Sequence, residues 1–368
     1  MKILVVDDSI AYRKTISQIL SSQDDIEVVG EASHGKIALA KFRQEDVDLI
    51  TLDMEMPELN GLETLKALKE QKIKAKVLIF AAQTARGAKD AMTALELGAL
   101  DIIPKPNQDF DSISQAYKYV EDLLLPKVLE LKTTFGLRQA TKFMPKGNIL
   151  ELRQKDKNLS YNKINVDTFI PSAIVIASST GGPNALEIVV KNIKQTPRVP
   201  ILIAQHMPPV FTLSLANRLS KLSGVTCVEA KNGETILPGR IYIAPGDYHM
   251  EVTQDLKGET QRVFLHKKPK RNDVRPCANF LFESAAKVWG NKLLGFVLTG
   301  MGADGADGAV AIKNANGAVV IQEEHSSTVW GMPRAVHDLG AYDKMMGIEN
   351  CASLLSKVSG DVLKAISG

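Results

Sequence analysis

With 368 residues, 45% of them hydrophobic, and a formal net charge of +3, the chain is long enough for two or three domains with ordinary cores; so small a charge gives no reason to expect nucleic-acid binding, yet leaves room for acidic protein partners. The three cysteines, Cys227, Cys277 and Cys351, are widely spaced with no Cys-x-x-Cys, which excludes a disulfide framework and a zinc site as organising features. Met1-Lys2-Ile3 leads straight into a strand followed by acids, unlike a signal peptide, and no apolar run approaches about 18 residues, so a cytoplasmic chain without membrane insertion is expected.

From the N-terminus, strand and helix alternate. Apolar strand runs at Ile3–Val6, Ile26–Ala32, Leu49–Leu52, Val77–Phe80 and Asp101–Ile103 are separated by helical spacing at Ile10–Leu20, Lys36–Arg43, Leu62–Leu68 and Ala88–Leu97, with a last helix from about Ser112. This predicts a flavodoxin-like α/β sheet. Asp7 and Asp8 follow the first strand and Asp53 ends the third. Three carboxylates gathered at one sheet edge repel one another unless a hard divalent cation lies among them. Lys105, between Pro104 and Pro106 after the fifth strand, can reach an anion held there. Each acid alone also reads as a helix cap; together, at corresponding strand ends, they point to a site.

Residues 121–167 change in texture. Leu123–Leu131 keep helical spacing, whereas Lys142–Asp167 are polar, contain Lys146-Gly147 and show no sustained period. A tether with a helical start is predicted. The expected division is a first domain over 1–120, a linker over 121–167 and a second domain over 168–366.

The second domain is expected to be a doubly wound, Rossmann-like, mostly parallel sheet. Ala173–Ala177 is continuous, apolar and partly β-branched, like a strand buried on both faces. Ser178-Ser179-Thr180-Gly181-Gly182 follows, and Pro183 suits the opening of a helix that continues through Val190. Ser179 thus occupies a strand-to-helix turn that lifts a nucleophile clear of the sheet and aims backbone N–H groups at what it attacks. The spacing differs from Gly-x-Ser-x-Gly only in Ala177 at the first glycine; a phosphate-cradling or merely tight turn fits these six residues equally. Neither nucleotide-binding glycine motif is complete here.

Ile201–Ala204 is a second buried run, ending in Gln205-His206-Met207-Pro208-Pro209, and Leu293–Leu298 a third, ending in Thr299-Gly300-Met301-Gly302-Ala303-Asp304-Gly305. A serine nucleophile needs a base and an orienting carboxylate, and a doubly wound sheet gathers its site at the carboxyl edge. His206 and Asp304 would complete a triad with Ser179, although alone they read as a structural histidine and a helix N-cap. The order Ser, His, Asp differs from the Ser, Asp, His of α/β-hydrolases. Thr226–Glu229, Arg240–Ala244, His249–Thr253 and Val263–His266 read as further strands, broken by Pro238-Gly239 and Pro245-Gly246, and predict a mixed sheet with an antiparallel excursion. Lys267-Lys268-Pro269-Lys270-Arg271 reads as a solvated turn, with an acidic protein contact as the alternative.

Ser179-Thr180-Gly181-Gly182, Gln205-His206-Met207-Pro208-Pro209 with Phe211-Thr212, and Leu298-Thr299-Gly300-Met301-Gly302 with Asp304-Gly305 closely resemble the chemotaxis response-regulator methylesterases, the protein-glutamate methylesterase/protein-glutamine glutaminase (CheB) family. Ile243-Ala244-Pro245-Gly246, Arg275-Pro276 and Gly331-Met332-Pro333 are similar to that family as well. The N-terminal part resembles receiver domains of two-component response regulators, with Met56-Pro57 and Asn60-Gly61 fitting the loop after the phospho-acceptor.

The resemblance implies a phosphorylation-regulated hydrolase that demethylates glutamate methyl esters on chemoreceptors and deamidates particular glutamines. Ser179 would attack, His206 carry the proton, Asp304 orient the imidazole, and the backbone N–H groups of Thr180 and Met301 stabilise the oxyanion. Asp53 would accept phosphoryl from a chemotaxis histidine kinase; Asp8, Asp53 and the Glu55 carbonyl would hold Mg²⁺, supported by Asp7 and Lys105. The catalytic domain would need no cofactor. A monomer peripheral to receptor arrays, with the unphosphorylated receiver covering the cleft, is expected. Ala81 and Ile102 depart from the usual hydroxyl and aromatic residue of receivers, which implies that the signal from Asp53 travels by Lys105 and neighbouring loops. Two other classes remain at this point: an adaptor that binds receptors without turnover, and a DNA-binding response regulator, for which the Ser179 domain is too long and sheet-rich.

Overall fold

The computed structural model describes residues 1–42, 44–106, 113–135, 161–193 and 195–360. The chain forms two compact units, Met1–Thr141 and Lys142–Gly368. No described helix is long and apolar enough to cross a membrane.

In the first unit, β1 (Lys2–Val6), β2 (Glu27–Ala32), β3 (Leu49–Asp53), β4 (Lys76–Ala82) and β5 (Asp101–Lys105) form a parallel sheet in the order β2-β1-β3-β4-β5. The helices are α1 (Ile10–Ser21), α2 (Gly35–Phe42), α3 (Gly61–Glu70), α4 (Ala85–Glu96) and α5 (Ile113–Phe135). This is the flavodoxin-like order, with every strand pointing its carboxyl end to the same edge. Leu49–Asp53 is buried throughout, as a central strand covered on both faces must be. Asn60 starts α3 with a full capping box, its side chain bonded to the Glu63 N–H while the Glu63 carboxylate returns to the Asn60 N–H. Helix α5 runs on past residue 120, because Val120, Leu124, Val128 and Leu131 continue one buried stripe at helical spacing. The helical start expected of the tether is therefore the end of α5. Residues 136–160, which hold most of the polar tether, lie outside the described residues.

The second unit begins, among described residues, at Tyr161. The Ile164 N–H donates to Asp343 Oδ1 at 2.7 Å, and Lys313 pairs with the same oxygen at 2.6 Å, both charges buried. The last residues assigned to the linker are thus pinned to this unit. Its strands are β6 (Ala173–Ser178), β7 (Ile201–Gln205), β8 (Thr226–Glu229), β9 (Arg240–Ile243), β10 (His249–Gln254), β11 (Gln261–His266), β12 (Leu293–Val297), β13 (Ala318–Gln322) and β14 (Lys344–Met346). Its helices are α6 (Gly182–Lys191), α7 (Phe211–Ser223), α8 (Ala278–Trp289), α9 (Ala306–Asn314), α10 (Met332–Asp338) and α11 (Ile348–Ser359).

Seven strands pair in the order β14-β13-β12-β6-β7-β9-β8, and every pair is parallel. The expected mixed sheet is therefore corrected: the antiparallel excursion exists, but β10 and β11 form a separate two-stranded sheet. The reason lies in the connection from β8 to β9, which has no helix of its own. Residues 233–236 run instead along β11, with Gly233 N to Val263 O at 2.8 Å, Val263 N to Glu234 O at 2.9 Å and Ile236 N to Gln261 O at 2.8 Å. The hairpin supplies the backbone partners that a crossover helix makes for itself.

Strand β6 stands at the reversal of strand order: the chain builds outward through β7, then crosses back to β12 on the other side. A crevice opens beyond the carboxyl ends of strands at such a switch point. Ser179 and Thr299 begin the loops that border it.

Candidate functional site

The backbone brings three loops together at this edge. Ser179 N donates to Thr299 O at 3.0 Å and His206 N to Ser178 O at 3.0 Å, so the ends of β6, β7 and β12 are laced to one another. Gly300 passes against Ser179 so closely that a Cβ there would lie 2.8 Å from Ser179 Cβ and 2.4 Å from Met332 Sδ. Its carbonyl accepts from the Gly331 and Met332 N–H groups at 3.0 and 2.8 Å, which seats the Gly331-Met332-Pro333 motif on the same loop. Gly246 has a like role on the far side: a Cβ would fall 2.2 Å from Pro209 N, so the Pro245-Gly246 turn and the Pro208-Pro209 turn can touch only through glycine. The Gly246 N–H reaches Thr212 Oγ1 at 3.0 Å, and that hydroxyl donates to Glu229 at 2.6 Å.

Asp304 and His206 meet. His206 Nε2 lies 2.7 Å from Asp304 Oδ2, and Asp304 is only 1% exposed. Asp304 does not cap the helix that follows it, since Gly305 occupies that cap position without a side-chain bond. It turns instead to the N-terminus of α8, accepting from Ala278 N at 2.6 Å and Asn279 N at 3.1 Å, with Gly305 N at 2.9 Å and Cys277 Sγ at 2.9 Å. Burial alone would raise its pKa, but the bond and charge of His206, the Cys277 thiol and the Ala278 N–H outweigh it and hold Asp304 below the usual carboxylate range. Burial, then the Asp304 charge, push the Cys277 thiol far up, so it serves as a neutral donor.

Ser179 is 6% exposed, and among the described residues no hydrogen bond joins its hydroxyl to the imidazole. Such contacts commonly close only with substrate bound. Because Nε2 faces Asp304, Nδ1 is the ring nitrogen left for a serine proton. The Thr180 carbonyl is held by Thr299 Oγ1 at 3.0 Å, and Thr299 N is held by Gln322 Oε1 at 2.8 Å, so the Thr180–Gly181 peptide is fixed from the β12 side. Met301 lies between Gly300 and Gly302, the latter at φ +80.

At the carboxyl edge of the first unit, Lys105 Nζ lies 2.7 Å from Asp53 Oδ2 and 3.1 Å from Asp7 Oδ2. These are ion-pairing distances off the direction of a hydrogen bond, which leaves both buried Oδ2 atoms without a hydrogen-bond donor. Asp7, Asp8 and Asp53 each offer an oxygen within 4.8 Å of the others, and Asp8 is exposed. An all-oxygen set with buried, undonated lone pairs and an open side fits Mg²⁺. Burial, then the Asp7 charge, push Asp53 up to about 6 against the pull of Lys105. Burial raises Asp7 too, and burial depresses Lys105 less than the two carboxylates raise it. Glu55 follows Asp53 by two residues, its N–H 3.2 Å from Asp53 Oδ1.

Ala81 and Ile102 are both buried within β4 and β5. The Thr84 hydroxyl, the nearest along the chain, caps α4 by accepting from Gly87 N at 3.0 Å. Sequence reasoning did not reach Gln83 and Tyr119: the Gln83 amide donates to the Lys105 carbonyl at 2.9 Å and to Tyr119 Oη at 3.4 Å. It also passed over Cys277, although the adjoining Arg275-Pro276 motif was in view, and Gln205 within the His206 motif.

Comparison with known proteins agrees with both halves. Residues 174–355 match the family model of the CheB methylesterase, and residues 3–118 that of the response regulator receiver domain. A protein-glutamate methylesterase/protein-glutamine glutaminase of Trichodesmium erythraeum is 40% identical over 353 residues, covering 95% of this chain and 97% of its own length. One of Pyrococcus abyssi is 39% identical over 350 residues, covering 95% and 91%. The crystal structure of the Thermotoga maritima CheB methylesterase catalytic domain aligns with 51% of this chain and 98% of that chain at 38% identity, with a TM-score of 0.49.

Proposed function

Because the chain belongs to the CheB methylesterase family and carries a response regulator receiver domain ahead of the catalytic one, we propose that it hydrolyses glutamate methyl esters on chemoreceptors under phosphorylation control, and deamidates receptor glutamines at the same serine. The observation that carries the reading is the buried Asp304–His206 pair at 2.7 Å beside the Ser179 turn.

Ser179 Oγ attacks the side-chain carbonyl carbon as His206 Nδ1 takes its proton. The oxyanion that forms is met by the Thr180 and Met301 N–H groups. The imidazolium is stabilised by Asp304 and returns the proton to the departing methanol, or to ammonia when a glutamine is the substrate. Water, deprotonated by His206, then cleaves the acyl-serine to leave glutamate and free Ser179.

In the receiver, Asp53 accepts the phosphoryl group from a histidine kinase. Asp8, Asp53 and the Glu55 carbonyl would hold Mg²⁺, with Asp7 in support; the ion's charge would offset that of the transferring phosphoryl group. Lys105 pairs with the phosphorylated side chain.

The test is methanol release from chemoreceptor membranes carrying labelled methyl esters. The full-length protein with acetyl phosphate and Mg²⁺ should release labelled methanol. No release from the folded protein would favour an adaptor that binds receptors without turnover.

A further inference from the structure

Gln205 ends β7 immediately before His206, is fully buried, and has no part in the chemistry described above. Its side-chain amide makes three short contacts. Oε1 accepts from Ser178 Oγ at 2.6 Å, while Nε2 donates to the Ser179 carbonyl at 3.0 Å and to the His206 carbonyl at 3.1 Å. Carbonyl oxygens only accept, so the amide nitrogen must face these two and the amide has a single possible orientation.

The position of this amide matters because the ladder between β6 and β7 stops here. Ser178 and Gln205 are the last paired residues, and beyond them one chain turns into α6 and the other into the Pro208-Pro209 loop. Ser179 and His206 are therefore the first residues beyond the paired ladder: their N–H groups are still held, by Thr299 O and Ser178 O, but among the described residues no strand N–H reaches their carbonyls. The two N–H bonds of one rigid amide continue the cross-link for one further residue. Space is reserved for it: a Cβ on Gly182 would lie 2.1 Å from Gln205 Oε1 and 2.9 Å from Ser178 Cβ, so the opening residue of α6 can carry no side chain while the amide is there.

We infer that Gln205 is a positioning residue for the ester hydrolysis, its amide holding the backbones of the nucleophile and the base at a fixed separation. The inference rests on the methylesterase reading of Ser179 and His206. Gln205 touches neither substrate nor the reacting atoms, so its effect belongs in kcat. Misplacing a catalytic group by about 1 Å can cost about 10²-fold in rate.

Two variants of the full-length protein test this by methanol release from methyl-labelled receptor membranes, with kcat and KM resolved and the pH varied. Gln205→Leu keeps the bulk and loses both donors; its kcat should fall about 10- to 100-fold with KM within about twofold of wild type. Gln205→Glu should have a pH dependence of its own. Its buried carboxyl can donate to one carbonyl while protonated and to neither once ionised, so kcat/KM should show an alkaline fall that wild type lacks. Folded Gln205→Leu with wild-type kcat, or a loss carried entirely by KM, would overturn the assignment. Should Gln205→Leu not fold, a wild-type pH profile in Gln205→Glu would overturn it instead. Wild-type protein that releases no methanol would remove the enzymatic reading itself, and the inference with it.

Discussion

Ser178 and Ser179 are chemically identical neighbours in different surroundings. Ser178 Oγ is bonded inside the sheet to Gln205, whereas Ser179 starts the turn at the switch-point crevice. Ser179→Ala should therefore lower methanol release by about 10⁴-fold or more, leaving only what oxyanion donors and binding provide, while Ser178→Ala should cost less than about tenfold. Equal losses would mean that the nucleophile is misassigned. Asp304→Asn should lose about 10⁴-fold, because an amide in its place cannot stabilise the imidazolium or enforce the tautomer. It should also reveal the sign of the Asp304 charge in folding. Its pKa is depressed in the folded state, so its ionised form adds stability above the ordinary carboxyl range, and that stability disappears as pH falls through the lower folded value. The Tm difference between wild type and Asp304→Asn should be greatest near neutral pH and shrink below about pH 4; a difference that grows on acidification would contradict the cause given. The meeting of His206 and Asp304 could be anticipated because His206 follows one recognisable buried strand and Asp304 lies in the glycine-rich loop after another. The part of Cys277 could not, since its thiol meets Asp304 only after α8 has been laid beside the α9 loop, a contact between residues far apart in the chain.

At the scale of elements, the acidic cluster at the ends of β1 and β3 shows strand ends working against one another. Raising the Asp53 pKa from 3.8 to about 6 means that the folded state resists its ionisation. The sign is opposite to that of Asp304: the cost is absent below the unfolded value and complete above the folded one, where it reaches about 3 kcal/mol at about 1.4 kcal/mol per tenfold change in proton affinity. Asp53→Asn should accordingly raise the Tm of the receiver transition above pH 6, with the gain vanishing toward pH 4. Mg²⁺ should raise the wild-type transition and have a much smaller effect on the variant, because binding to the folded state alone is stabilising. A destabilised Asp53→Asn at pH 8 would show that the carboxylate is held by contacts other than those described. Most elements could be read from periodicity alone, including the five strands of the receiver and the three, β6, β7 and β12, that lead to Ser179, His206 and the Asp304 loop. The sheet polarity around β8 and β9 could not. Pro-Gly turns suggested reversals, but the parallel pairing depends on residues 233–236 lying along β11, and no local pattern encodes that long-range backbone partnership.

For the whole molecule, two independently packed units with different chemistry share one chain. The covalent connection keeps them at high effective concentration, so a change at Asp53 need not recruit a partner in order to influence Ser179. Acetyl phosphate with Mg²⁺ should raise methanol release by wild type and leave Asp53→Asn low; a rise in the variant would rule out Asp53 as the acceptor. Ala81 and Ile102 supply neither hydroxyl nor ring, and the Gln83 amide ties the Lys105 carbonyl to Tyr119 at the same edge. Gln83→Ala should therefore reduce the activation ratio without changing the unphosphorylated rate. The central proposal is covalent attack by Ser179, and acid quenching during turnover of a methylated receptor peptide, followed by peptide mass spectrometry, tests it most directly. The account predicts a glutamyl-linked mass on the peptide containing Ser179, absent in Ser179→Ala. Acyl mass on another residue, or undiminished methanol release from Ser179→Ala, would contradict it.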